Sequence, residues 1–445
     1  MVVMDKGVTR WGFCVLVVAG LLGASCSGSS DSTQPTSLPE TTAPSATSAL
    51  PSTTAPPQTT PDPTTTPSVT APPVTATTVQ TTAPPTTATT LPPPLLDNIA
   101  VATGAYHACS LHTDGTVSCW GRNYLGQLGN GSNEEPLEVV KVVGIRDAIA
   151  IDSYWDHTCA VHETGRVSCW GENDYGQLGN GTRSASNRPV TVDGIDDALE
   201  IAIGWPFSCA LHTDGTVSCW GLGRFGALGN GTIGQENFAS TPVKVASISD
   251  AIAITTGASH ACALRENGTI LCWGSNRTGK LGDGTMVDSS LPVEVKGISD
   301  AIAISAAGDY TCALHADRSV SCWGTDVMGN LATDEIILSS IPNRLKDISE
   351  VRNMASATSY LCLFKQNSRE IVCLGADHYG NLGSRSEKPS VHKLRSDKEI
   401  IFLGLHFFQI CAVYADTTIY CWGPEYEDKN YVFKDFSNRY IVAPG

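Results

Sequence analysis

The sequence has little positive charge and no long apolar run near its start. It contains 28 Lys and Arg residues against 44 Asp and Glu residues, which gives a formal net charge of −16 at pH 7. An acidic chain is a poor partner for the phosphates of nucleic acids and of anionic lipid headgroups, so we expect no nucleic-acid partner. The apolar stretch from Trp11 to Leu22 is too short for a convincing membrane span.

The sequence also lacks the short motifs that mark common enzyme sites. It has no G-x-S-x-G nucleophile elbow, no H-E-x-x-H zinc motif, no P-loop and no EF-hand loop. No stretch shows sustained helical periodicity, which argues against a helical fold. We therefore expect no catalytic residues, no cofactor and no metal site.

Residues 1–26 are typical of an export signal. Lys6 and Arg10 precede the apolar stretch, which ends in the sequence LLGASC. This ending resembles a bacterial lipobox, in which Cys26 would be lipidated and become the first residue of the mature protein. The alternative is ordinary signal-peptidase cleavage nearby. Both predict an extracytoplasmic protein, either lipid-anchored to the cell membrane or secreted.

Residues 27–95 have the composition of a disordered, Thr/Pro-rich stalk. From Asp31 to Leu95 there are 22 Thr, 16 Pro, three acidic residues and no Lys or Arg. Such a segment cannot bury enough apolar surface to offset the entropy of ordering it, and its prolines favour an extended chain. We expect a passive linker that holds the rest of the protein away from its anchor.

Residues 96–445 contain seven copies of one unit. The first copy reads CSLHTDGTVSCWG, and successive copies begin 50, 50, 53, 50, 50 and 49 residues apart. Each unit has short alternating runs separated by Asp-Gly or Asn-Gly turns, and four short strands per unit are typical of a propeller blade. The fold class predicted is therefore all-β, a seven-bladed β-propeller that occupies the whole region.

The repeated motifs G-x-x-H-x-C-A-L and V-x-C-W-G-x-N-x-x-G-Q-L-G-N-G-T resemble those of the regulator of chromosome condensation repeat family. The resemblance covers about 350 residues and weakens late in the chain, where Leu374 replaces Trp and the glycine loop is lost after Gly423. It implies a seven-bladed β-propeller. The family includes a nuclear exchange factor for a small GTPase, and the chain also resembles secreted bacterial propellers that bind a partner protein with one face. Export and acidity favour the second kind of role.

Each unit carries two cysteines, which could form a disulfide or belong to a zinc site. A three-residue loop at Thr113-Asp114-Gly115 would place Cys109 opposite Cys119 across a hairpin. In unit six the spacing is one residue wider, and a two-residue loop at Asn367-Ser368 would restore the opposition. A zinc site would need His107 and His112 as well, but only two of the seven units keep both histidines.

We therefore predict seven intra-blade disulfides in an exported protein. The predicted pairs are Cys109–Cys119, Cys159–Cys169, Cys209–Cys219, Cys262–Cys272, Cys312–Cys322, Cys362–Cys373 and Cys411–Cys421.

Aromatic residues that do not repeat indicate where a partner could bind. Trp155 and Trp205 each lie four residues before the first cysteine of their units, in loops that must all open on one face of the ring. Aromatic side chains on such a face are typical of binding hot spots, although the same residues could instead pack between neighbouring blades. The candidate binding residues are Tyr106, Tyr154, Trp155, Trp205, Phe207, Phe407 and Phe408.

These observations favour a monomeric binding propeller at the cell surface. We expect it to recognise a protein or a glycan through one loop face, and to touch the membrane only through its lipid anchor. One alternative is a glycan-active enzyme with paired carboxylates in the central funnel. The other is a purely structural envelope protein.

Overall fold

The computed structural model describes residues 98–432 except 235–236, 326–337, 367–368, 377–381, 383–389, 397, 407, 423–426 and 429–430. The expected export signal, Cys26 and the stalk therefore lie outside the described residues. Within the described ranges, no helix is long and apolar enough to cross a membrane.

The chain forms a seven-bladed β-propeller, as predicted. Six blades are four-stranded antiparallel sheets, and the seventh has three strands within the described residues. The first three blades contain β1 (Asn98–Thr103), β2 (His107–His112), β3 (Val117–Gly121), β4 (Val140–Lys141), β5 (Ala148–Tyr154), β6 (His157–His162), β7 (Val167–Gly171), β8 (Ser186–Thr191), β9 (Ala198–Gly204), β10 (Phe207–His212), β11 (Val217–Leu222) and β12 (Phe238–Lys244).

The later blades repeat this order. They contain β13 (Ala251–Thr256), β14 (His260–Arg265), β15 (Ile270–Gly274), β16 (Ser289–Glu294), β17 (Ala301–Ala307), β18 (Tyr310–His315), β19 (Val320–Thr325), β20 (Leu338–Arg344), β21 (Val351–Ser356), β22 (Tyr360–Lys365), β23 (Glu370–Gly375), β24 (Ser390–Arg395), β25 (Ile400–Leu405), β26 (Ile410–Tyr414) and β27 (Ile419–Trp422). A separate short pair, β28 (Glu427–Asp428) and β29 (Tyr431–Val432), follows, and a single 3-10 turn lies at Arg224–Gly226.

The first strands of the blades surround the central axis. Each packs beside the first strand of the next blade, and β25 packs beside β1, so the ring closes between blade seven and blade one. Where the first strand of a blade leads into the second, the turn opens on one end of the ring, which we call the loop face. The opposite end, where each first strand begins, we call the bulge face.

The central hairpin of each blade forms as the sequence predicted. The loop at Thr113–Gly115 contains Gly115 at φ +75°, a conformation that favours glycine, and Asp114 Oδ1 accepts the Thr116 amide at 2.9 Å. Cys109 therefore pairs directly with Cys119. All seven predicted disulfides are present, including the wider pair in blade six. The two-residue loop expected at Asn367-Ser368 lies outside the described residues.

The core consists of apolar layers between neighbouring blades. Trp170, which follows the second cysteine of blade two, is buried in the core of blade one, and Trp220 is buried likewise in the core of blade two. The Trp170 indole N–H donates to the Gln127 carbonyl at 2.9 Å, in the glycine-rich loop of blade one. Blades two to five are thus each joined to the preceding blade by a buried tryptophan whose indole N–H is satisfied in its hydrogen bonding.

Candidate functional site: an aromatic cluster on the loop face

The loop face brings together two pairs of stacked or adjoining aromatic rings. Trp155 and Trp205 lie in the turns after β5 and β9, with ring centroids 5.9 Å apart, and both are partly exposed above the core of blade two. Trp155 has φ +44°, which a bulky residue rarely adopts, and its carbonyl accepts the Ala105 amide at 2.9 Å. The neighbouring blade thus helps to hold this tryptophan in an uncommon backbone conformation.

The second aromatic pair links blade seven to blade one. The rings of Tyr106 and Phe408 stack with centroids 4.9 Å apart. The Arg122 guanidinium lies 3.9 Å from the Tyr106 ring centroid and 5.3 Å from that of Tyr124, which is a cation–π arrangement. Trp155, Trp205, Tyr106 and Phe408 form a partly exposed group, which we call the aromatic cluster. Arg122 lies on it and also pairs with Glu135 at 3.9 Å.

Two residues expected on this face are not on the surface. Tyr154 and Phe207 are both 0% exposed. Tyr154 is the last residue of β5 and turns inward, where its ring centroid lies 6.1 Å from that of His406, and burial raises its pKa well above the usual value. Phe207 packs in the core of blade three at the repeat position that His107 occupies in blade one. The expectation that these two side chains face a partner is corrected accordingly, and Phe407 lies outside the described residues.

Acidic groups lie directly behind Tyr124. Asp156 accepts hydrogen bonds from Tyr124 Oη at 3.0 Å and from Gln127 Nε2 at 2.7 Å. Burial, together with the neighbouring Asp156 and Asp174 carboxylates, raises the pKa of Glu172 to about 7. The Glu172 carboxyl can therefore gain or lose its proton near neutral pH, so the charge beside the aromatic cluster depends on pH.

Further arginine and aromatic side chains extend this chemistry around the same face. The Arg183 guanidinium lies 4.5 Å from the Phe238 ring centroid. Arg224 and Arg277 both lie 4.7 Å from the ring centroid of Phe225. Sequence reasoning missed the Arg183–Phe238 and Arg277–Phe225 contacts because the partners come from different blades, whereas Arg224 and Phe225 are neighbours in one loop. The sequence does contain a signal for this chemistry, because an arginine lies inside or beside the glycine-rich loop in three blades, at positions 122, 224 and 277.

The repeated histidines are structural. His107 Nε2 bonds Thr158 Oγ1 at 2.8 Å, and His157 Nε2 bonds Ser208 Oγ at 3.1 Å, so each reaches into the next blade. Burial lowers the pKa of both imidazoles to about 3, which keeps them neutral at physiological pH. Among the described residues, no group of three or more His, Cys, Asp or Glu is arranged to hold a metal ion.

Carboxylates do line the inner strands, as the enzyme alternative would require, but their oxygens bind backbone amides. Asp152 Oδ2 accepts the Ile203 amide at 2.7 Å, and Oδ1 accepts the Ser153 amide at 2.8 Å. Glu200 Oε2 accepts the Ile254 amide at 3.1 Å. Burial raises the pKa of Asp152 well above its usual value. Both residues thus satisfy a buried backbone amide in the first strand of the next blade, which is a structural task.

Comparison with known proteins agrees with this architecture. Two models of the "Regulator of chromosome condensation (RCC1) repeat" match the chain, one at residues 99–127, 148–177, 199–227 and 251–280, the other at 164–211, 214–264 and 267–314. No curated protein matches the sequence at a significant level.

Solved structures share the fold at low sequence identity. Human WBSCR16 is 21% identical, with a TM-score of 0.62 over 70% of this chain and 85% of that protein. Prp20p from Saccharomyces cerevisiae is 19% identical, with a TM-score of 0.60 over 69% of this chain and 80% of that protein, and its structure was described with its binding properties to Gsp1p and histones. At this identity the likeness establishes the fold alone.

Proposed function

We propose that this chain, which belongs to the regulator of chromosome condensation repeat family, is an extracytoplasmic binding propeller that recognises a partner protein through its loop face. The observation that carries the proposal is the aromatic cluster of Trp155, Trp205, Tyr106 and Phe408, with Arg122 stacked on it. Trp, Tyr and Arg are the residue types that dominate the energetics of protein interfaces.

The scaffold supports such a role physically. The four aromatic side chains stand on short turns between strands of rigid, disulfide-bonded blades, so a partner would meet a largely preformed surface. Seven disulfides are typical of proteins in oxidising, extracytoplasmic compartments. Anchoring through a lipid on Cys26 is part of the proposal and rests on the lipobox-like sequence.

The decisive experiment is capture of a partner by the mature, oxidised chain from envelope and secreted fractions, followed by calorimetry with the purified partner. Trp155→Ala/Trp205→Ala and Tyr106→Ala/Phe408→Ala are the test variants. Leu291→Ser, an exposed substitution on the outer strand β16, is the matched control. We expect each test variant to weaken binding by about tenfold or more and the control to leave it unchanged.

Three outcomes would contradict the proposal. A captured molecule that loses binding on enzymatic deglycosylation would make the ligand a glycan. Equal binding by all variants would place the site elsewhere on the propeller. Capture of nothing would favour a structural envelope protein, in which the aromatic side chains serve only the packing of blades.

A further inference from the structure

The bulge face carries a ring of exposed aliphatic side chains that binding at the loop face does not use. In every blade, the second residue of the first strand is skipped in the pairing with the second strand, which makes it the extra residue of a β-bulge. In six blades this residue is aliphatic and between 43% and 51% exposed: Ile99, Ile149, Leu199, Ile252, Ile302 and Ile401. In blade six it is Arg352, whose Nη1 bonds Glu399 Oε1 at 2.9 Å.

The fold does not require apolar side chains at this position. Ala148 and Ala150, on either side of Ile149, are 4% and 5% exposed and supply the core contacts of β5, whereas Ile149 is 47% exposed. A bulge re-aims a side chain away from the regular alternation of the strand. A single exposed isoleucine needs no explanation, but six at one repeat position around one end of the axis form a concentrated apolar surface.

Carboxylates surround this aliphatic ring. One lies two residues before each bulge residue of blades two to seven: Asp147, Asp197, Asp250, Asp300, Glu350 and Glu399. A second set lies in the exposed hairpin loops of the same face: Asp114, Glu163, Asp214, Glu266, Asp317 and Asp416.

Basic residues neutralise part of this charge unevenly. Arg265 pairs with Asp250, and Arg344 pairs with Asp317. In blades two, three and five, the carboxylates Asp147, Asp197 and Asp300 instead bond the imidazoles of His162, His212 and His315 at 2.5 to 2.6 Å. Among the described residues, none of these three carboxylates has an arginine or lysine ion pair, and two of them lie two residues before Ile149 and Leu199.

We propose that the bulge face is a second docking surface, and that its occupant is a segment of a partner protein that carries an aliphatic side chain next to Lys or Arg. The aliphatic side chain would enter the ring of Ile149, Leu199 and Ile252, and the cationic groups would meet the surrounding carboxylates. A second copy of this chain fits poorly, because two bulge faces in contact would oppose two sets of carboxylates. The propeller would then join two partners, one at each end of its axis.

The test measures anisotropy of labelled dodecapeptides on the mature full chain at physiological salt. The probes are an alternating Leu–Lys peptide, a Leu–Glu peptide and a Ser–Lys peptide. The main variant is Ile149→Ser/Leu199→Ser/Ile252→Ser, and Leu291→Ser, at a 49% exposed position on the outer strand β16, is the control. We expect the Leu–Lys peptide to bind best, the triple variant to weaken it by about tenfold, and the control to leave it unchanged.

A single substitution keeps the test decisive if the triple variant folds poorly. Ile149→Lys places a cation at an exposed site beside Asp147, so it should weaken binding of the Leu–Lys peptide without a change in thermal midpoint. Equal binding of the Leu–Glu or Ser–Lys peptide, or unchanged binding in these variants, would overturn the proposal. So would a dimer in sedimentation that the triple variant abolishes, because the occupant would then be a second copy. None of these readouts depends on a loop-face partner.

Discussion

The joints between the early blades and the joint between blade seven and blade one are formed by different hydrogen-bonding side chains, where a joint is the set of contacts that connects one blade to the next. Early in the chain, an indole N–H donates at 2.8 to 3.0 Å to a carbonyl in the glycine loop of the preceding blade, as Trp170, Trp220, Trp273 and Trp323 do. Trp120, in blade one, is 1% exposed, and within the described part of the chain no acceptor lies within hydrogen-bonding reach of its Nε1. Instead, Gln409 Nε2 joins blade seven to blade one through the Gly104 and His107 carbonyls, at 3.2 and 2.7 Å.

The same contrast appears at the repeat position two residues before the first cysteine. His107 and His157 reach a hydroxyl of the next blade, whereas Tyr310 Oη reaches the Ala357 carbonyl at 2.8 Å and Tyr360 Oη reaches the His406 carbonyl at 2.8 Å. Six of the seven blades therefore deliver a polar atom to the next blade at this position, whereas blade three has Phe207 there. Because histidine is the side chain among these that gains a proton in acid, the joints built on histidine should respond to acid and those built on tyrosine should not.

The largest expected effect concerns the disulfides, which both regions share. Cys159→Ala/Cys169→Ala in blade two and Cys411→Ala/Cys421→Ala in blade seven each remove a link that closes a sequence separation of 10 residues. On the chain-entropy model each pair should lower the free energy of unfolding by roughly 2–3 kcal/mol. Urea unfolding followed by tryptophan fluorescence measures both.

Similar losses in the two variants would show that the blades are equally dependent on their disulfides. A much larger loss in blade seven would contradict this, and would mean that the three-stranded blade depends on its disulfide where the four-stranded blades depend on strand pairing. The reduced wild-type protein is the control, because it should lose at least as much stability as either variant.

The next prediction distinguishes the histidine joints from the tyrosine joints by how the free energy of unfolding depends on pH. Burial, with a smaller contribution from His107, lowers the pKa of His157 to about 3 in the folded protein, while an unfolded histidine titrates near 6.5. Between these values the unfolded chain binds the proton and the folded chain does not, so stability falls as the pH falls, by about 1.4 kcal/mol per pH unit. His157→Phe, which places there the residue type of Phe207, should remove the share of this dependence that His157 contributes, as measured by urea unfolding between pH 7 and 5. The shares of His107, His260 and His406, whose pKa values burial also lowers, should remain.

Tyr310→Phe is the matched control in a late joint. It deletes the hydroxyl that bonds the Ala357 and Tyr360 carbonyls, so it should destabilise the protein equally at pH 7 and pH 5. Buried carboxyls such as Asp152, whose pKa is raised, act in the opposite direction, but they are present in both variants. If His157→Phe leaves the pH dependence unchanged, the imidazole must be protonated in the folded state.

The repeat made most of the fold predictable. Seven cysteine pairs at nearly constant spacing determine the number of blades and the register of each central hairpin, because the residues of a pair must lie opposite each other. The same comparison between units carries a signal for the burial of Phe207, since Phe207 shares its repeat position with His107 and His157, which both make contacts within the ring. The burial of Tyr154 was harder to predict. Blade one has Gly104 at the same repeat position, and the inward direction of the Tyr154 side chain, towards His406 of blade seven, depends on how the blades are arranged around the axis.

The surfaces were less predictable than the core. The exposure of Ile149 depends on a β-bulge, and a shift of one residue in strand pairing changes the direction of a side chain without changing the hydrophobic pattern. The stacking of Arg122 on Tyr106 joins two loops that only the hairpin brings together. Repetition in the sequence reports what every blade shares, whereas these contacts are peculiar to single blades or depend on backbone irregularity.

The smallest effect tests the joint between blade seven and blade one directly. Trp170→Phe and Trp120→Phe remove the same volume from two buried, equivalent positions, but only Trp170 loses a hydrogen bond, the one to the Gln127 carbonyl. A buried hydrogen bond contributes about 1 kcal/mol, and an unsatisfied buried donor is itself unfavourable. Trp170→Phe should therefore cost about 1–2 kcal/mol more than Trp120→Phe in urea unfolding. Equal costs would mean that the Trp120 indole has an acceptor after all, and that the last joint is satisfied like the early ones.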